Sequence, residues 1–277
     1  MLSGLAVSLV LALSAPLAQA ETTDSGSSEL SNEDFVEMFD NADLPNLEPF
    51  DPPPTITGSI TTDRRVRTIA ERRGYQIRSG PIESLTLIDG HLLQPDAAAA
   101  WADLKGAARA AGIGISLTSG YRTPDSQTWL MQRQLSGWSE DELNAVLDIT
   151  APPGYSKHHT GYAIDLRSGS ATLYDFADTA AYRWLAEDSF ANARAHGWVP
   201  SYPDGVDNVG PLPEPWEFVW VGTDTIFCHT ATTGAAGPFC DDERPLTTCA
   251  SPVLCPRDSV TRSHFAWPEA PTVLPLR

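Results

Sequence analysis

The chain has 277 residues, enough for one large domain or two small ones with a proper hydrophobic core. Its 36 acidic residues against 18 Lys and Arg give a formal net charge of −18 at pH 7. This excess argues against nucleic acid as a partner and against an anionic membrane surface, because little positive charge remains to neutralise phosphates.

The amino-terminal segment has the pattern of an export signal. Leu5 to Leu13 form a short apolar run, and the AQA tripeptide at 18–20 supplies a small-x-small cleavage pattern, so residues 1–20 are predicted to be a signal peptide. No Lys or Arg precedes the run, so either the amino terminus supplies the charge or the true start lies upstream. No stretch is long enough to span a bilayer. We therefore expect an exported protein, periplasmic or secreted.

Residues 21–60 are acidic, rich in Ser, Asn, Asp and Pro, and contain no Lys or Arg. This composition predicts a linker or tether. Within it, "SNEDFVEMF" predicts one short helix capped by Ser31 or Asn32, and "DPPPT" then breaks the chain.

Residues 61–225 carry the patterns of a globular domain. "LLQPDAAAAWADLKGAARAAGI" predicts an amphipathic helix that ends at Gly112. The residues expected on its buried face are Ala97, Trp101, Leu104 and Ala108.

Further elements follow along the chain. "GISLTSGY", "GYAIDL" and "PWEFVWVG" predict strands, "DSQTWLMQRQL" a helix capped by Asp125 or Ser126, and "YRWLAEDSFANARAHGWV" a helix ending at Gly197. Helices interspersed with short strands and hairpin-like returns predict an α+β domain.

The segment 226–277 is a Pro-rich extension that holds all the cysteines: Cys228, Cys240, Cys249 and Cys255. An even number in an exported protein favours two disulfides, with three possible pairings. A four-thiolate zinc site is the alternative, but no C-x-x-C pair supports it. We expect an irregular, disulfide-pinned flap.

The stretch "GYSKHHTGYAIDL", residues 154–166, places His158 in a loop and Asp165 on the strand that follows. A zinc ion accepts imidazole nitrogen and carboxylate oxygen, and a catalytic site uses three protein ligands and one open position. A lone His and Asp at this spacing would fit a structural role better. The residues around them, however, form a specific pattern, S-x-H-x-x-G-x-A-x-D.

This pattern resembles the signature of the VanY-type D-alanyl-D-alanine carboxypeptidases and their VanX dipeptidase relatives. The similarity continues in "SGYRTPDSQ", residues 119–127, and downstream in "GWVPSYPDG" and "EPWEFVWVG", so that it covers roughly residues 85–223. The resemblance implies an α+β fold in which a small antiparallel sheet with flanking helices carries a metal site.

The resemblance also implies roles for individual residues. His158 and Asp165 would be the first two zinc ligands, and Glu214 would be the general base that moves a proton from water to the leaving amine. Arg122 would stabilise the oxyanion or hold the substrate carboxylate. The residues implied to contact substrate are Ser156, Gln127 and Tyr121.

The third ligand departs from the family pattern E-x-W-H, because Glu217 stands where the family has histidine. In one interpretation Glu217 binds the metal, which makes Mn²⁺ or another oxygen-preferring cation more competitive with Zn²⁺. In a second, His159 or His229 replaces the missing ligand. In a third, the site has lost its metal and only the groove remains. We favour the first, because the other site residues are all present.

The leading functional hypothesis is an exported metal-dependent peptidase acting on peptidoglycan stem peptides as a D-Ala-D-Ala carboxypeptidase. The alternative is a non-catalytic peptidoglycan-binding or scaffold protein with a degenerate metal site. Loops between residues 136 and 155 are expected to border the groove. An endopeptidase remains open within the same fold, as does the oligomeric state.

Overall fold

The structure, a computed structural model, describes residues 30–42, 44, 49–79 and 83–234, with the backbone alone for 231–234. All of them lie in the first of two compact units into which the chain divides, Met1–Ala236. The predicted signal peptide, residues 1–20, lies outside the described residues. So do Cys240, Cys249 and Cys255, and the disulfide pairing stays a prediction.

An antiparallel sheet forms the centre of the described region. Its four strands are β3 (Ser116–Ser119), β4 (Ala163–Arg167), β5 (Trp198–Pro200) and β6 (Glu217–Trp220), in the order β3-β4-β6-β5. A separate hairpin pairs β1 (Thr86–Ile88) with β2 (His91–Leu93). Because every pair is antiparallel, neighbouring strands present facing residues on the same side of the sheet.

Helices flank this sheet. In chain order they are α1 (Asn32–Asn41), α2 (Ile60–Arg72), α3 (Pro95–Ala110), α4 (Pro124–Gln134), α5 (Glu140–Leu147), α6 (Ala180–Arg194) and α7 (Thr223–Gly234). Short 3-10 helices lie at Lys157–Thr160 and Phe176–Asp178. The α+β class with a small antiparallel sheet and flanking helices is confirmed. No helix of the described region combines the length and the apolar character needed to cross a membrane.

The predicted amphipathic helix is α3, and its expected inner face is fully buried: Ala97, Trp101, Leu104 and Ala108 each expose 0% of their surface. These side chains pack in one hydrophobic core with the inward residues of the sheet, such as Ile164 and Phe218. A second cluster, between α2, α4 and α5, includes Tyr155 and so supports the segment that leads to His158.

The short helix predicted near residue 32 is α1, and Ser31 caps it through a reciprocal pair of hydrogen bonds with Asp34. Its buried side chains, Phe35, Met38 and Phe39, belong to the main core. Part of the segment expected to be a linker therefore completes the core of this unit.

Other local predictions were wrong in detail. α4 is capped by Thr123 and not by Asp125 or Ser126, because Pro124 occupies the first helical position. The predicted single helix around residue 190 is interrupted, since Asp188, Ser189 and Phe190 have positive φ angles. The start of the predicted irregular extension is helical, as α7.

The interruption of α6 has a packing explanation. It turns the ring of Phe190 against Phe35 of α1, with ring centroids 5.6 Å apart, and against Phe218 of β6, at 6.0 Å. In a continuous helix the side chain of residue 190 would follow the regular helical spacing. The left-handed turn instead directs the ring into this aromatic cluster.

Candidate metal centre

Two carboxylates face each other in the central sheet. Asp165 of β4 and Glu217 of β6 are direct cross-strand partners, so both side chains project from the same face, and both are buried. Like charges placed opposite each other in a sheet are destabilising unless something positive lies between them. This arrangement therefore calls for a cation or a proton at that position.

His158 reaches the pair from the 3-10 helix that precedes β4. Its backbone N–H donates to the Ser156 hydroxyl at the start of that helix. Gly161 ends it with a φ of +76°, a left-handed conformation that glycine adopts without steric cost. A side chain there would also press on Leu85 and Gln94. The sharp turn at Gly161 thus brings His158 back over the strand that carries Asp165.

The three side chains converge. Nε2 of His158 lies 3.3 Å from Oδ1 of Asp165 and 3.3 Å from Oε2 of Glu217. One ligand atom from each residue falls within 4.8 Å of the others, and all three residues are buried. At the other side of the imidazole, Nδ1 lies 2.7 Å from the carbonyl oxygen of Gly120. A carbonyl only accepts, so Nδ1 carries a hydrogen, and Nε2 is the ring nitrogen that faces the carboxylates.

These distances fit a divalent cation. Two ligand atoms bound to one zinc ion at about 2.0–2.1 Å and a tetrahedral angle lie about 3.3 Å apart. The donor set of one imidazole and two carboxylates suits zinc and also harder cations such as Mn²⁺. His158, Asp165 and Glu217 are therefore the residues that would hold the ion.

The remaining candidate histidines are engaged elsewhere. Nδ1 of His159 lies 2.7 Å from the carbonyl oxygen of Arg122, and its Nε2 accepts from the backbone N–H of Gly154 at 3.0 Å. Nε2 of His229 lies 2.9 Å from Oδ1 of Asp34 in α1. Neither ring is directed at the cluster, which argues against the interpretation that one of them replaces the third ligand.

The pKa values of His158 and Glu217 also indicate that the cluster favours a positive charge. Burial alone would lower the pKa of His158, but the carboxylates of Asp165 and Glu217 outweigh it and raise that pKa to about 9. Burial alone would raise the pKa of Glu217. His158 and the hydrogen bond from the Ser201 hydroxyl outweigh burial and lower this pKa to about 2. A positive charge within the cluster is strongly favoured.

Glu214 lies in the turn before β6 and is half-buried. Its backbone N–H donates to the carbonyl of Tyr202 at 3.0 Å, and its own carbonyl accepts from the N–H of Glu217 at 3.0 Å. Burial, followed by the negative charges of Glu217 and Asp165, raises its pKa well above the usual value for glutamate. A carboxyl group in this position can act as a general base and then as a general acid.

Arg122, just beyond β3, is held in a fixed orientation. Its Nη1 donates to Oε1 of Gln127 at 2.8 Å and its Nη2 to the hydroxyl of Ser119 at 3.0 Å. The same Nη2 lies 3.5 Å from Oδ2 of Asp165. Gln127 is itself buried and donates from Nε2 to the carbonyl of Ala151 at 2.7 Å. The structure thus places Gln127 behind Arg122, with both ends of its amide occupied.

Ser156 and Tyr121, the other residues implied to contact substrate, lie on the segments that carry His158 and Arg122. The Ser156 side chain is buried and caps the 3-10 helix. Tyr121 is half-buried, and its N–H donates to the carbonyl of Leu92 at 2.7 Å. Their contact with substrate stays a prediction.

Sequence reasoning missed three groups that contact the site residues. Ser119 contacts Arg122, the Gly120 carbonyl contacts His158, and the hydroxyl of Ser201 donates to Oε1 of Glu217. Ser201 stands within "GWVPSYPDG", so a signal existed, but its partner is 16 residues away. Gly120 acts through its backbone and gives no side-chain signal.

Comparison with known proteins relates part of the chain to one family of peptidases. Residues 90–223 match the model of the VanY family, described as D-alanyl-D-alanine carboxypeptidase. A D-alanyl-D-alanine carboxypeptidase of Enterococcus faecalis is 32% identical over 129 residues, which cover 44% of this chain and 46% of that protein. Another, from Enterococcus faecium, is 33% identical over 107 residues, covering 38% of this chain and 29% of that protein.

Among solved structures, a Zn(II) complex of a variant of the vancomycin-resistance D,D-pentapeptidase VanY is 27% identical. It covers 54% of this chain and 86% of that chain, with a TM-score of 0.44. Residues 90–223 are therefore similar to the VanY-type family. The chain spans less than half the length of these two curated relatives.

Proposed function

We propose that the protein is an exported, metal-dependent peptidase that removes the terminal D-alanine from peptidoglycan stem peptides. The observation that carries the proposal is the convergence of His158, Asp165 and Glu217, with both carboxylates 3.3 Å from one imidazole nitrogen. The family match over residues 90–223 supports the substrate class.

A divalent cation held by these three residues would supply Lewis-acid chemistry, making water more acidic and polarising the amide carbonyl. The remaining steps belong to the chain. The Glu214 carboxylate takes a proton from the attacking water and returns it to the nitrogen of the departing D-alanine. One carboxyl group can perform both transfers, first as general base and then as general acid.

Arg122 supplies the positive charge for the substrate. Its guanidinium is oriented by Gln127 and Ser119, and the side chain is only partly buried. We assign to Arg122 the binding of one of two anions. These are the oxyanion that develops on the scissile amide and the terminal carboxylate of the peptide, and a planar cation binds both well.

The experiment uses purified muropeptides with pentapeptide stems ending in D-Ala-D-Ala, and a matched synthetic stem ending in D-Ala-L-Ala. Mass spectrometry after incubation should show loss of one alanine residue from the D-Ala stem only, abolished by a chelator and restored by Zn²⁺ or Mn²⁺. Cleavage inside cross-links would identify an endopeptidase. Binding of wall fragments without any change in mass would instead support the non-catalytic scaffold.

A further inference from the structure

Ser201 contacts Glu217 through both its backbone and its side chain. It directly follows β5, and its N–H donates to the carbonyl oxygen of Glu217 at 3.1 Å. Its hydroxyl donates to Oε1 of the same residue. Ser201 exposes 0% of its surface, so no solvent competes for that carboxylate oxygen.

The two carboxylate oxygens of Glu217 have different partners. Oε1 is held by Ser201, whereas Oε2 lies 3.3 Å from Nε2 of His158 and faces the cluster. A carboxylate held at one oxygen presents the other in a single orientation, and less conformational freedom is lost when it binds an ion. A histidine at position 217 would have no second carboxylate oxygen to be held by a hydrogen bond of this kind.

Lys157 holds Ser201 in turn. Its Nζ donates to the carbonyl oxygen of Ser201 at 2.7 Å, and the side chain is buried. The amine lies 4.1 Å from the centre of the Tyr202 ring and 5.1 Å from that of Phe39. Because Lys157 immediately precedes His158, this chain of contacts links the segment of one ligand to the strand of another.

We infer that Ser201 is the positioning residue of Glu217, and that Lys157 fixes Ser201, so that a carboxylate can serve where the family pattern has histidine. This inference rests on the metal site of the proposed function. The Ser201 hydroxyl does not touch the ion; it acts through Glu217, and its loss should therefore weaken metal binding only while Glu217 is present.

The test is a double-mutant cycle on the full chain, read out as the zinc dissociation constant by competition with a chromophoric chelator. Ser201→Ala should weaken zinc binding about 10- to 100-fold in the native background, the usual range for losing a partner of a ligand. In the Glu217→Ala background the same change should alter affinity less than about 3-fold. Ser201→Thr, which keeps the hydroxyl, should bind zinc like the native chain.

A matched control removes a buried hydroxyl elsewhere. Thr150→Val deletes the hydrogen bond from Thr150 to Gln134 and should lower the melting temperature of the metal-free protein without changing zinc affinity. Lys157→Met should weaken zinc binding, by less than Ser201→Ala does; unchanged affinity would overturn the role of Lys157. Should Ser201→Ala fail to fold, Ser201→Gly gives a second hydroxyl-free variant.

The outcomes separate this inference from the proposed function. Equal weakening by Ser201→Ala in both backgrounds, or no weakening in the native one, overturns the inference while the metal site stands. Zinc binding that is indifferent to Glu217→Ala overturns both. None of these readouts requires peptidase activity.

Discussion

Asp165 and Glu217 are direct partners in the ladder between β4 and β6, and both of their carboxylates are buried on one face of the sheet. Such a pair is unfavourable by itself, and the imidazole of His158 lies at 3.3 Å from each carboxylate. The site thus places two mutually repelling carboxylates beside an imidazole, and these are ligand types that a divalent cation binds.

The identity of the third ligand can be tested by restoring the histidine of the family pattern. Glu217→His should keep or raise peptidase activity and shift the preference of the site from Mn²⁺ towards Zn²⁺, because imidazole is a softer donor than carboxylate and leaves the ion more positive. Competitive loading with equal Zn²⁺ and Mn²⁺, followed by elemental analysis, measures the shift. An unchanged ratio of the two metals would show that residue 217 does not bind the ion.

The role of Glu214 predicts a separation of chemistry from metal binding. Glu214→Gln should lower turnover about 10²- to 10⁴-fold, because the amide cannot accept a proton from water, while the metal content stays at the native value. Turnover on a D-Ala-D-Ala stem peptide and elemental analysis check the two parts. Glu187→Gln, an exposed glutamate in α6, is the control and should change neither. Native turnover in Glu214→Gln would remove this residue from the mechanism.

The core position of α1 predicts that the segment before residue 60 matters for stability. Phe39 is fully packed and its ring lies against Arg78 and Lys157. Phe39→Ala should reduce the free energy of unfolding by about 3–5 kcal/mol, as for other large-to-small core substitutions. Phe227→Ala, at a half-exposed ring in α7, should cost far less. Equal, small losses in urea unfolding would mean that α1 is a dispensable tether.

The hydrogen bonds of Asp63, at the start of α2, lead us to expect that the fold loses stability at low pH. Its carboxylate accepts from the backbone N–H groups of Ile56 and Thr57 and from the Thr57 hydroxyl. Burial opposes ionisation, but these hydrogen bonds prevail and lower the pKa. A lowered carboxyl pKa adds stability above the unfolded value of about 4, and this stability is lost as pH falls through the folded value.

Asp63→Asn should therefore cost about 1–3 kcal/mol of unfolding free energy at pH 7, and the difference from the native chain should shrink below about pH 4. Urea denaturation across pH measures both effects. Asp103→Asn, at an exposed position of α3, serves as the control and should leave stability nearly unchanged. A difference that is constant with pH would contradict the assignment.

The elements that the sequence predicted well are those fixed by local pattern. The buried face of α3 follows from its helical spacing, and the capping of α1 follows from Ser31 and its immediate neighbours. The candidate site was found through motifs whose spacing matches a known family, and the structure brings His158, Asp165 and Glu217 together.

The features that the sequence did not predict depend on contacts between distant segments. The break in α6 serves the packing of Phe190 on Phe35, which lies about 150 positions earlier in the chain. The contact between Ser201 and Glu217 exists because β5 pairs with β6, a register that no local pattern specifies. The cap of α4 at Thr123, in contrast, follows from a local signal, because Pro124 favours the first position of a helix.

The most direct test is the metal content of the purified chain after dialysis against a slight excess of Zn²⁺ or Mn²⁺. We predict about one ion per native chain, and essentially none in Asp165→Ala, because that change removes one of three ligands that face a single point. An ion-free native chain, or equal occupancy in Asp165→Ala, would contradict a cation held between β4, β6 and the imidazole of His158.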